Sequence, residues 1–409
     1  MKRTILAILI AILALAVSAA VKPGIEVLRE NNFEALKGKR VGLITNPTGV
    51  DNDLKSTVDI LAEAPEVELV ALFAPEHGVR GDVHAGDNVG NTKDAATGVP
   101  VYSIYGKTRK PTSEMLKDID VLVYDIQDNG CRSYTFISSM GLAMEACAEN
   151  GKEFMVLDRP NPVGADKIEG NLTEPDCISF VSQFPIPYLY GLTPGELAKY
   201  LNGEGLLKGG EKVKLSVVPM EGYERNMDFL DTEMPWVLPS PHIPTPESAL
   251  YYPATGILGE LYYTSIGVGY TLPFKLICAD WIDAEKFAAN LNAKNIPGVR
   301  FRPIHIKPFY STGQGKNLSG VEIYITDREK APLTLIQFYA METLAEMYPD
   351  RKVFDNADPK RMNMFDKVCG SKEIRRRFMK NYKVDDIIDY WNKDTAAFAD
   401  KSAKYHIYK

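Results

Sequence analysis

The chain has 409 residues, 45% hydrophobic and 25% charged, a globular composition that excludes disordered, collagen-like and repeat classes. That length can bury a sizeable core and predicts two domains. A formal net charge of -7 with no long basic run argues against a nucleic-acid groove, because neutralising phosphates takes clustered Lys and Arg.

Lys2, Arg3 and Thr4 precede an apolar run from Ile5 to Val17, followed by Ser18, Ala19 and Ala20. This pattern predicts a secretory signal peptide over residues 1–20, cleaved after Ala20, and an exported chain, periplasmic or secreted. The run is shorter than the ~20 residues that span a bilayer, so no stable membrane anchor is expected. Cys131, Cys147, Cys177, Cys278 and Cys369 fit no zinc or redox spacing, and buried free thiols are expected.

Arg40 to Thr45 reads as a first strand, and residues 53–63 as a helix with Leu54, Val58 and Leu61 at helical spacing. Further strands are predicted over 67–73, 99–105, 120–126 and 153–157, with helices near 113–117 and through Met140 and Met144. Thr193-Pro-Gly-Glu196 carries a capping box that opens another helix, and Lys212 to Val218 adds a strand. Strands and helices alternating in this way predict a parallel sheet. The fold class is therefore α/β: a parallel-sheet domain over 21–240 and a smaller α+β domain over 241–409. The Pro-rich stretch from Pro235 to Pro253 reads as a rigid extended crossing. Beyond it come strand-like runs at 273–279 and 320–326, an amphipathic helix from Leu333 to Met347 and a basic helix near Glu373 to Lys380.

Candidate chemistry gathers on the strand exits. There is no G-x-G-x-x-G after the first strand and no G-x-x-x-x-G-K-[ST], so no nucleotide is expected. The exit at Phe73-Ala-Pro-Glu-His-Gly78 places Glu76 and His77 where Pro75 stops the strand. Glu76 there suits a general acid, or alternatively braces the loop. His77 could tune it, bond a substrate hydroxyl, or be structural. Asp125 is a candidate second carboxylate, and Asn46, Gln127, Asp128 and Asn129 are candidate hydroxyl binders. Asp158 is placed with them, Tyr134 suits sugar stacking, and Arg80, Arg132 or Arg159 could clamp a carboxylate. His77, Asp82, His84 and Asp87 match no metal-site spacing, and neither a metal nor a cofactor is expected.

Together the motifs resemble the NamZ/YbbC-like family of exported exo-β-N-acetylmuramidases. They are Gly42-Leu-Ile-Thr-Asn-Pro-Thr-Gly49, Phe73 to Gly78, Asp125 to Thr135, Leu157-Asp-Arg-Pro-Asn-Pro162, Leu192 to Ala198 and Trp236 to Thr245. The resemblance implies a Rossmann-like domain without a nucleotide, a smaller C-terminal domain with the active cleft between the two, a saccharide partner derived from peptidoglycan, and Glu76 at the family's proposed catalytic position. The second domain departs from the pattern: Glu260 is kept, but Tyr263, Ile266 and Val268 replace the usual Asn, Glu and Arg. His242 stands where Asn is usual, and Tyr190 where His is common. An alternative on the same scaffold is a non-catalytic periplasmic glycan-binding protein.

Overall fold

A computed structural model of the protein describes residues 20–76, 78–81, 92–355 and 357–409. The predicted leader falls almost wholly on residues 1–19, outside the described residues, as does His77. The first half is built on β1 (Arg40–Thr45), β2 (Glu68–Ala74), β3 (Thr92–Lys93), β4 (Pro100–Ser103), β5 (Val121–Asp125) and β6 (Glu153–Leu157). After a small pair, β7 (Ile168–Glu169) and β8 (Leu189–Tyr190), β9 (Lys214–Val218) closes the main sheet. Its order is β3-β4-β2-β1-β5-β6-β9, with only β3 and β4 antiparallel. Without the short β3 this is the doubly wound Rossmann order.

The continuous apolar runs of these strands follow from burial on both faces. Val41, Leu43, Val121, Val123 and Met155 point into one core layer. Their neighbours Ile44, Leu122, Tyr124, Phe154 and Val156 point into the other, as a period of two requires. The predicted capping box at Thr193 and Glu196 is formed, and it starts the helix Pro194–Gly203.

The second half carries β10 (Leu276–Ala279), β11 (Val299–Ile306) and β12 (Leu318–Ile325) as an antiparallel sheet in the order β10-β12-β11. One expectation fails here. The Pro-rich stretch is not an extended crossing, because the chain turns at 239–242 and Pro246–Gly259 is a helix. Pro246 occupies its first turn, where no N–H is needed. Pro253 lies inside the helix, and its carbonyl accepts from the buried Gln337 side chain at 2.8 Å. All five cysteines are buried free thiols.

The chain then returns to the first half. Tyr405 packs edge-on against Tyr200, and the Tyr408 hydroxyl donates to Asp158 Oδ2 at 2.7 Å. Burial pushes the Asp158 carboxyl up to about 6, above an unfolded value of ~4. Stability linked to it is thus present below pH ~4 and lost as pH rises through the folded value. Tyr408→Phe removes a donor that favours the anion and should cost about 1–3 kcal/mol at neutral pH, less at acid pH, in denaturant titrations. A loss that does not change with pH would contradict this.

Candidate active site

β2 ends at Ala74 against the parallel exits of β1 and β4, so Pro75 and Glu76 emerge at the carboxyl edge of the sheet. Gly78 and Gly81 take positive φ of 78° and 80°. A Cβ on Gly81 would lie 2.7 Å from Pro47 Cγ, so glycine lets this loop pack on the exit loop of β1. Glu76 is half-buried, and both its oxygens accept hydrogen bonds: Oε1 from the Tyr105 hydroxyl at 2.7 Å, Oε2 from Thr135 Oγ1 at 3.3 Å. Burial and the neighbouring Glu76 charge raise the Tyr105 phenol well above its ordinary value, so it stays a donor.

Glu76 opens into a cavity of about 480 Å³ whose other walls include Tyr134, Phe136, Ser240, His242, Tyr252, Glu260 and Phe274. A second cavity of about 450 Å³ shares His242, Tyr252, Glu260, Tyr262 and Phe274 with the first and extends past Ile266, Val268 and Tyr310. They form one cleft, with the β2 exit on one side and the helix Pro246–Gly259 on the other. Its aromatic wall is interlocked: Tyr134 meets Tyr252 edge-on at 5.5 Å, and Tyr252 meets Phe274 at 4.9 Å. Ser133 Oγ lies 3.1 Å from the Tyr252 hydroxyl and donates to that of Tyr188 at 3.0 Å. His242 Nε2 lies 3.0 Å from the Tyr310 hydroxyl.

Of the residues expected at the site, Glu76, Tyr134 and His242 line this cleft. The others do not. Asp125 is fully buried and accepts from Arg159 Nη2 at 3.0 Å, and also from Arg159 Nε and Thr57. It is an internal ion pair that ties β5 to the exit of β6, and neither partner is left for substrate. Asp158 accepts from Thr193 Oγ1, the Gly195 N–H and Tyr408. Asp128 accepts from Tyr190 and the Gly130 N–H, and burial pushes its carboxyl up to about 6. Gln127 donates to the carbonyls of Asp128 and Pro160, and Asn46 Oδ1 caps Thr48. Asn129 is fully buried.

The arginines are corrected too. Arg80 lies between Asp59 and Asp94, which hold its guanidinium at 2.8 and 2.9 Å. Arg132 is 1% exposed, and its guanidinium donates to the carbonyls of Asn171, Ile186 and Val368 at 2.6, 2.6 and 3.1 Å. Desolvation lowers its pKa to about 10. Its role is to join the two halves of the chain, not to meet a ligand.

The residue that sequence reasoning passed over is Glu260. Tyr252, Gly256, Gly259 and Glu260 are spaced i, i+4, i+7 and i+8 on one helix, and all face the cleft. That stripe is legible in the sequence once 246–259 is read as helix.

Residues 41–247 match the N-terminal domain, and residues 250–408 the C-terminal domain, of exo-beta-N-acetylmuramidase NamZ. The chain belongs to the NamZ family. It is 47% identical over 388 residues to the peptidoglycan beta-N-acetylmuramidase NamZ of Bacillus subtilis (strain 168), covering 95% of this chain and 91% of that protein. A DUF1343 family protein from Bacteroides fragilis NCTC 9343 is 62% identical and superposes with a TM-score of 0.92, covering 95% of this chain and 99% of the other. A second protein of that description from the same organism is 27% identical with a TM-score of 0.74, over 96% and 99% of the two chains. Where this chain departs from the NamZ pattern, the replacements differ in placement. Ile266 and Val268 line the cleft, whereas Tyr263 turns away to pack on Trp281 and donate to the Arg351 carbonyl.

Proposed function

We propose that the protein is an exo-acting glycoside hydrolase that releases N-acetylmuramic acid, or a related amino sugar, from the ends of peptidoglycan fragments. The observation that carries this reading is Glu76: a carboxylate fixed by two hydroxyls at the mouth of an aromatic-walled cleft. Aromatic faces suit the apolar faces of pyranose rings, and a carboxylate beside the scissile bond is the basic requirement of glycoside hydrolysis. The B. subtilis relative, a peptidoglycan beta-N-acetylmuramidase, supports the substrate class. Peptidoglycan lies outside the cytosol, which agrees with the leader-like residues 1–20, so we place the protein in the periplasm or medium. No described helix is long and apolar enough to cross a membrane. The test is incubation with the MurNAc-GlcNAc disaccharide and its GlcNAc-GlcNAc counterpart, reading released sugars by mass spectrometry. Binding without release would favour the glycan-binding alternative.

N-acetylmuramic acid carries a lactyl carboxylate, and burying that charge without a partner costs several kcal/mol. Among the described lining residues there is no Lys or Arg, and His242 is the side chain able to carry positive charge. His242→Gln should therefore raise KM for the muramic sugar about tenfold, with little change for the glucosamine counterpart. Equal losses for both sugars would show that His242 does not read the lactyl group.

A further inference from the structure

We propose that Glu260, facing the cleft opposite Glu76, is the proton donor of the reaction, with Glu76 as its anionic partner. This rests on the glycosidase reading above, and it moves the acid role from Glu76 to a residue outside the expected set. The two carboxyls share one cavity, but their surroundings differ. Both oxygens of Glu76 are held as acceptors by Tyr105 and Thr135. Among the described residues no donor holds a Glu260 oxygen, and its neighbours include Ile266, Val268 and Phe274.

Glu260 also caps the C-terminus of the helix Pro246–Gly259, where unpaired carbonyls disfavour a negative charge. Among the described residues, the titratable groups that line the cleft with it are Glu76, His242, Tyr105, Tyr134, Tyr252, Tyr262 and Tyr310, with Arg361 behind. The Arg361 guanidinium stacks 3.9 Å over the Tyr262 ring and pulls the carboxyl down less than burial pushes it up, so its pKa is raised. A neutral acid beside a hydrogen-bonded carboxylate is the division of roles that glycoside cleavage needs.

In the step, the bond between C1 and the glycosidic oxygen breaks, its electron pair stays on the leaving oxygen, and that oxygen takes the Glu260 proton. Glu76 faces the positive charge that develops at C1. Water supplies the new oxygen at C1, and its proton restores the Glu260 acid, so both carboxyls end the cycle as they began it.

A leaving group that departs without a proton separates the two roles. Glu260→Gln should slow cleavage of the disaccharide by ~10²- to 10⁴-fold but that of a dinitrophenyl glycoside of the same sugar by less than ~10-fold. It should also abolish the alkaline limb of the pH profile of kcat/KM, because the parent loses activity as pH rises through the Glu260 pKa. Glu76→Gln should slow both substrates. Glu260→Asp keeps the acid and should retain the limb at a shifted pH, which covers the case of a Gln variant that melts early. Equal slowing of both substrates by a folded Glu260→Gln, or survival of its alkaline limb, would overturn the assignment. A parent protein that cleaves neither substrate would overturn the glycosidase reading itself.

Discussion

Glu76→Gln is expected to lower turnover by ~10²-fold or more while glycan affinity stays within a few-fold of the parent. The amide keeps the shape of the side chain, and its oxygen still accepts from the Tyr105 hydroxyl that fixes Glu76 at 2.7 Å. What it lacks is the negative charge at the mouth of the cleft. The loss should therefore appear in kcat and not in KM, with an unchanged thermal melt. Hydrolysis at the parent rate would remove Glu76 from the chemistry and leave it as a brace for the loop between β2 and β4.

The second large effect concerns stability. Arg132→Ala should cost about 3–5 kcal/mol in denaturant unfolding, because it leaves three buried carbonyls unpaired and opens a void between the halves of the chain. Gly370, at φ 72°, shows how tightly the guanidinium is seated, since a Cβ there would lie 2.5 Å from Arg132 Nη2. Affinity for muramic and glucosamine sugars should change in equal proportion, if at all. An Arg132→Ala protein as stable as its parent but selectively weak for the muramic sugar would reinstate this arginine as a lactyl clamp.

Much of the sheet was legible in the sequence, because strands buried on both faces appear as near-continuous apolar runs bounded by polar or turn-forming residues. Val121 to Asp125 and Glu153 to Leu157 are of this kind. β11 was missed because Arg300, Arg302 and Pro303 break up its apolar residues, although Pro303 sits within the strand's pairing with β12. The helix Pro246–Gly259 was misread because its two prolines, and those just before it, outweighed the spacing of Tyr252, Gly256 and Glu260.

The site itself was only partly visible, for a physical reason. A run such as Asp125 to Tyr134 shows that polar groups leave the sheet at one edge, but not what covers them. Here the segments around 160–190 and the C-terminal half close over that edge. Asp125, Asp158 and Arg159, which look like ligand-binding groups in the sequence, are thereby desolvated and satisfied by one another, by neighbouring hydroxyls such as that of Thr193, or by the backbone. Glu76 stays at the cleft because Pro75 carries it beyond the covered layer. Glu260 was hidden by distance along the chain, since nothing local connects residue 76 with residue 260.

The account is tested most directly by a crystal structure of the Glu76→Gln protein soaked with uncleaved MurNAc-GlcNAc disaccharide. The predicted result places the terminal sugar against Tyr134 and Tyr252, with the glycosidic oxygen within ~3 Å of a Glu260 oxygen and C1 facing residue 76. A disaccharide bound elsewhere, or seated in the cleft with its glycosidic oxygen remote from both carboxyl positions, would contradict it.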